Sequence, residues 1–414
     1  MTISAAFIDL PRTDNLRAWC VIAADQYSSS PQYWQQVADQ VGSAPSTLHL
    51  MVPEVYLSEG PQKVAERVAK VHETMDRYRT EVLETFGPAA VYVRRSTPYA
   101  KRRDSLIVAL DLDAYSFTGE PADVQASEAT VLERLPAREA VRAAASLELP
   151  HVQVLFDDPQ GQVFSLLEAA QPQLPKLYET QLMQDGGSVA GWRVDGDSEL
   201  WAKVSQALND LPREPRGFGF IVGDGNHSLA AARSHWLHLK EAGAPSDHPA
   251  RWALVELLNI HDPGLRVEPI HRWVGTVSAA DFEAAAARHR QSHQQAPATE
   301  VQILASTGGE VSHAQVQVAT PHPLLVKSLD EIIADLVQSF DLDPGADVEY
   351  VHGEDDLAEL VARRGGVGMV LPALSRSSLF DYVATHGAMP KKSFSLGEAC
   401  EKRYYCECRR LVAD

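Results

Sequence analysis

The sequence predicts an α+β fold, in which helices and strands mix without regular strand–helix–strand alternation. Three observations lead there. Apolar residues recur at helical spacing in several stretches, short β-rich runs lie between them, and Gly or Pro marks the junctions. The 414 residues are 45% apolar and 22% charged, which is ordinary for a globular protein. That length favours more than one lobe, and a soft boundary near 275 gives a core over 1–275 and a C-terminal α+β lobe over 276–414.

The elements follow in order. Ser30 is placed to cap a helix that begins at Pro31, carries Trp34, Val37 and Val41 on one face, and stops at Gly42. A longer helix is expected from Pro61 to Phe86, with Val64, Val68, Val71, Met75, Tyr78 and Val82 in register and Gly87-Pro88 as its end. "AVYVRRS" and "SLIVALDLDAYSF" read as a hairpin with Tyr99 to Asp104 at its tip. "HVQVLF" is a strand that stops at Asp157. Residues 160–215 read as a helix, a hairpin near Asp185-Gly186-Gly187 and a second helix before Pro212. "FGFIV" and the fully apolar "WALVELLNI" are strands. Beyond Val274 come the helical "AADFEAAAARHRQSHQQAPA", a strand pair around Val301 to Val318, and the helix "SLDEIIADLVQSF".

Bulk properties exclude several functions. A net charge of -19 argues against a general nucleic-acid or anionic-membrane surface, while leaving room for an anionic small molecule in a locally basic cleft. No apolar run reaches the roughly 18 residues of a spanning helix, and no signal-peptide pattern opens the chain, so a cytoplasmic location is expected. Four cysteines (Cys20, Cys400, Cys406, Cys408) are too few for a disulfide scaffold.

The densest chemistry lies in "FGFIVGDGNHSLAAARSHW". A strand passes through Gly223-Asp224-Gly225-Asn226-His227-Ser228 into a helix whose face carries Leu229, Ala232, Trp236 and Leu239. Such a turn leaves backbone N–H groups pointing out of the helix N-terminus, where an anion is favoured. Gly223 and Gly225 permit close approach and positive φ. Asp224 is suited to a divalent cation, and His227 to acid–base work or phosphate stabilisation. Equally, Asp224 or Asn226 caps the helix and His227 packs at its start. The pattern matches neither the Walker loop nor the dinucleotide fingerprint.

Other groups carry two readings as well. Asp25 follows the apolar "WCVIAA" at a strand end. Arg138 and Arg142, four apart in "EATVLERLPAR" and its continuation, share a helix face with Arg134 upstream; they either fork onto phosphate or pair with local glutamates. Asp157-Asp158 suits Mg²⁺ or a turn. His261, Asp262 and His271 suggest a metal without a zinc-type spacing. Lys391-Lys392-Ser393 either closes over a phosphate or is a solvated loop.

"VGDGNHSLAAA" resembles the Asp-Gly-His-His-Arg turn of the ParB/sulfiredoxin superfamily, which includes free serine kinases. Asn226 and Ser228 stand where that motif carries His and Arg. "VIAADQYSSSPQYW", "APSTLHLMVPEVYL", "IVALDLDAY", "EATVLERLPAR", "LELPHVQVLFDDP", "VGDGNHSLAAA", "ALVELLNIHDP" and "KKSFSLGEACEKRYY" resemble, in order, blocks of the family known as domain of unknown function 1015. The resemblance implies a ParB/sulfiredoxin-like core with insertions. It also implies phosphoryl transfer from a nucleotide (ATP or ADP, with Mg²⁺) to a small, serine-like hydroxylated metabolite. In that reading Asp25 is the base, and Asp224 and His227 act at the reacting phosphate, with Asp224 as metal ligand. Gly223, Gly225, Asn226, Ser228, Arg138, Arg142 and Lys392 hold the nucleotide. A nucleotide switch without turnover and a phosphate-ester hydrolase are the alternatives.

Overall fold

Continuous apolar runs along "AVYVRRS" and "SLIVALDLD" make strands that bury both faces, and these two strands organise the first part of the molecule. The structure is a computed structural model that describes residues 2–27, 30–307 and 310–412. Leu83–Ser96 and Arg103–Asp111 pair antiparallel, with Val91 opposite Ile107 and Arg95 opposite Arg103. They lie within a mixed sheet of eleven described strands. Its main path runs Lys176–Gln181, Ser188–Asp195, Leu83–Ser96, Arg103–Asp111, Trp252–Asn259, Val152–Phe156, Phe220–Asp224, Val124–Ala126 and Tyr115–Ser116. Ile3–Ser4 pairs with Arg103–Asp111, and Ala6–Pro11 with Leu83–Ser96.

Period-two geometry sends alternate residues to opposite faces. Tyr92, Leu106 and Val108 join one core with Phe164, Trp201, Leu229 and Trp236, from the helices Gln162–Ala170, Glu199–Asp210 and Asn226–Glu241. Val91, Val93 and Ile107 join a second core with Trp34, Val37, Met75 and Tyr78, from the helices Pro31–Val41 and Pro61–Glu81. Covered on both faces, Arg103–Asp111 is buried along its whole length. Each Leu, Ile or Val so buried contributes roughly 1.5–3 kcal/mol.

The chain forms two units. The first comprises 1–266, 376–389 and 396–414; the second comprises 267–375 and 390–395. The first division falls at 266, and most of the last forty residues belong to the first unit. In the second unit the strands Glu310–Ala319, Ala298–Thr307, Val367–Met369, Val267–Val274 and Val348–His352 lie side by side in that order. Its helices Ala279–Ser292 and Leu325–Phe340 bury Phe282, Ala285, Leu329 and Ile332 against Val274, Ile303 and Val318.

One expected element is corrected. The helix from Pro61 stops at Glu81, and Leu83 to Phe86 start a strand. The sheet overrides helical periodicity there, because Ile8 pairs with Phe86 and Asp9 with Thr85. Gly87-Pro88 consequently lies inside a strand.

Candidate functional site

Phe220–Asp224 runs parallel to Val124–Ala126 on one side and antiparallel to Val152–Phe156 on the other. The register slips between Val222 and Asp224, so the strand ends in a bulge. A Cβ at Gly223 would meet Leu396 Cδ1 at 2.5 Å and Leu155 Cγ at 2.9 Å, leaving no room for a side chain. Gly225 has φ +83, the left-handed region, and precedes the helix Asn226–Glu241 directly. No side chain caps this helix.

Asp224 turns back on the loop. Its Oδ1 accepts the N–H of Gly225 at 2.9 Å, and its Oδ2 lies 3.3 Å from Lys402 Nζ. Lys402 is nearly buried, with 9% of its side chain exposed against 34% for Asp224. The last stretch of chain delivers it. Thr97 Oγ1 donates to Glu401 Oε1 at 2.8 Å, and the Glu401 carbonyl accepts from both Arg95 and Arg103 at 2.9 Å. Tyr404–Tyr405 then pairs with Val21–Ile22, and Tyr405 Oη meets His151 Nδ1 at 2.6 Å.

His227 looks to the loop before the next helix. Its Nε2 accepts the Val131 N–H at 3.0 Å. That nitrogen is thereby engaged with the backbone. Asn226 is 8% exposed and donates Nδ2 to Ser127 Oγ at 3.4 Å, while its Oδ1 is buried without a hydrogen-bond partner. Thr130 Oγ1 is likewise buried without one. Ser228 is half-buried in the first helical turn.

The remaining expected residues are distributed as follows. Asp25 starts the short helical turn Asp25–Tyr27, which packs against Ala399–Glu401; its side chain lies outside the described residues. The side chain of Arg134 does too. Arg138 is exposed on the helix Leu135–Ala143, which packs along Asn226–Glu241. Arg142 Nη2 reaches Glu148 Oε2 at 2.8 Å. Arg409 Nε reaches the other oxygen at 2.6 Å. Burial would raise the Glu148 pKa, but these two guanidiniums hold it below the ordinary carboxylate value. Lys392 belongs to the second unit, where its carbonyl accepts from Arg272 Nη1 at 2.9 Å. His261 pairs with Asp157 at 2.5 Å, and His271 Nδ1 accepts the Leu371 N–H at 3.1 Å. Each histidine thus has a local structural role.

Lys402 was not singled out from sequence, although it stands in the quoted block "KKSFSLGEACEKRYY" ten residues after Lys392. Flanked by Glu401 and Arg403, it carries no local signal of its distant partner. A cleft of about 390 Å³ opens elsewhere on the first unit, lined by Arg102, Asp104, Asp158, Glu168, His261 and Asp262 among others. Arg102 is committed to Asp104 and Glu168, so the cleft's electrostatics do not favour a phosphate.

The family model described as "Protein of unknown function (DUF1015)" matches residues 6–332. No curated protein matches the chain. Among solved structures, a conserved hypothetical protein from Pyrococcus furiosus is 12% identical over 74% of this chain and 95% of that one, with TM-score 0.36. A free serine kinase variant in complex with ADP is 10% identical over 74% of this chain and 92% of that one, with TM-score 0.38. SbnI with C-terminal truncation from Staphylococcus aureus is 13% identical over 72% and 85%, with TM-score 0.34.

Proposed function

The chain belongs to the DUF1015 family, and we propose that its first unit binds a nucleotide at the Gly223–Ser228 turn. The finer reading is phosphoryl transfer from that nucleotide to a small, serine-like hydroxylated metabolite, on a ParB/sulfiredoxin-like core spanning the first two thirds of the chain. The observation that carries it is the pairing of Lys402 with Asp224 at the mouth of an uncapped helix.

Charge supports a phosphate at this place. The helix end contributes about half a positive unit, and Lys402, whose charge Asp224 balances, can turn to a phosphate once Mg²⁺ takes that carboxylate. Asp224 holds that ammonium in place at 3.3 Å. Asn226 supports the turn from beneath, and His227 positions the Val131 backbone. The partly exposed Asp224 carboxylate fits Mg²⁺ as one oxygen ligand, with phosphates and water completing the shell; the ion would supply charge neutralisation. Asp25 would orient the acceptor hydroxyl. Its turn packs on Ala399–Glu401, immediately before Lys402, so one segment of chain joins the acidic turn to the lysine.

Thermal melting with ATP or ADP, with and without Mg²⁺, tests the binding. The parent should gain melting temperature with nucleotide, and Lys402→Gln should lose that gain. Phosphorus NMR of the products then separates a phosphorylated metabolite from free phosphate, the hydrolase outcome, and from no turnover, the switch outcome. A parent that responds to no nucleotide under either condition would sink all three.

A further inference from the structure

We propose that His289, His293 and Glu331 of the second unit bind a divalent transition-metal ion of the zinc class, with His322 fixing the carboxylate. His289 lies near the end of the helix Ala279–Ser292, and His293 caps it. Four residues apart, the two imidazoles come to one face, with ring centroids 4.5 Å apart. Glu331 arrives from Leu325–Phe340, the helix packed alongside. The ligand atoms of the three side chains all lie within 4.8 Å of one another. Tetrahedral bonds of about 2 Å place ligand atoms roughly 3.3 Å apart, so small side-chain rotations close the set.

Protonation favours a metal. His293 Nδ1 lies 2.9 Å from the His289 carbonyl, an acceptor, so Nδ1 donates there and Nε2 is the nitrogen left to face a ligand. A ring nitrogen held by a backbone carbonyl is the usual support of a metal-binding imidazole. His289 is 8% exposed at the side chain; its Nε2 meets Glu331 Oε2 at 3.1 Å, while Nδ1 is buried with no hydrogen-bond partner. Nε2 is therefore the nitrogen of this ring that faces the site. His322 Nε2 meets the other Glu331 oxygen at 2.6 Å, which sets the carboxylate's orientation. Two imidazoles and one carboxylate favour zinc, nickel or copper over magnesium and calcium. The ion would clamp the two helices that carry Phe282 and Leu329 in the core of this unit.

The test uses the full, untagged chain stripped with EDTA and titrated with Co²⁺. One equivalent should produce visible d–d absorption, Zn²⁺ should displace it, and Zn²⁺ should raise the melting temperature. His293→Ala and Glu331→Gln should each weaken Co²⁺ binding at least tenfold and remove the Zn²⁺ stabilisation. Both variants should melt close to the parent in EDTA, which separates lost binding from lost folding. His313→Ala, on the hairpin of the same unit, should bind like the parent. Absence of a stoichiometric Co²⁺ band in the parent, or its full retention in both variants, overturns the proposal.

Discussion

His227 illustrates how one side chain divides between two readings. Its sequence position beside Asp224 suggests chemistry, yet its Nε2 accepts a backbone N–H from Val131, ninety-six residues earlier. Removing the ring leaves that N–H without its acceptor, at a cost of about 1–2 kcal/mol. His227→Ala should therefore lower the denaturant midpoint with an unchanged m-value; a midpoint equal to the parent's would contradict the anchoring role. Asp224→Asn is the contrasting case. The amide oxygen still takes the Gly225 N–H, but the charge pairing with nearly buried Lys402 is lost, so some melting temperature should go together with the nucleotide response. The glycines and the polar turn were legible because backbone chemistry demands them locally. Lys402 was not, since nothing near it in sequence announces a partner 178 positions away.

At the scale of elements, periodicity carries far and tertiary pairing takes over at the margins. The hairpin of 90–96 and 105–111 and the helices Pro31–Val41 and Asn226–Glu241 follow from apolar spacing, whereas the end of the helix from Pro61 does not. What holds the site's helix in place is also non-local. Asp113 accepts from Arg233 at 2.6 Å and from Trp236 and Lys240 at 3.0 Å, all on Asn226–Glu241. Burial pushes the Asp113 pKa up, but those donors outweigh it and hold it down at about 2. A carboxylate depressed in the folded state contributes stability above its unfolded pKa of about 3.9, lost as pH falls towards the folded value. The contribution is about 2 kcal/mol at neutral pH. Asp113→Asn should lower stability by roughly that amount at pH 7 and flatten the fall between pH 4 and 2. Parallel acid-unfolding curves for parent and variant would refute the linkage.

Across the whole molecule, the deciding feature is the return of 376–389 and 396–414 to the first unit. Composition and periodicity describe segments, so a boundary drawn near 275 assigns this tail by sequence proximity. Physically, the tail is part of the core. Tyr404, Cys406 and Cys408 sit among the residues around Trp19, Val21 and Val37, and all four cysteines remain thiols. Its charges are buried with partners. Arg403 pairs with Glu407, Glu256 faces Arg403 at 3.8 Å and accepts from Ser105 and Gln153 at 2.7 Å, and Arg409 reaches Glu148 at 2.6 Å. Removing one member of such a network strands its partner in a low-dielectric interior, typically at 3–5 kcal/mol. Glu148→Gln should therefore cost about 3 kcal/mol and loosen the strand Arg409–Arg410, read as faster amide exchange there than at Leu106 to Val108. A chain of residues 1–266 alone loses the whole network at once. It leaves Glu256 without Arg403 and Glu148 without Arg409, and opens the apolar wall beside Ile22. That fragment should show no cooperative melting and should bind a hydrophobic dye at neutral pH. A sharp, two-state transition in the isolated fragment would mean that the tail decorates the first unit without completing it.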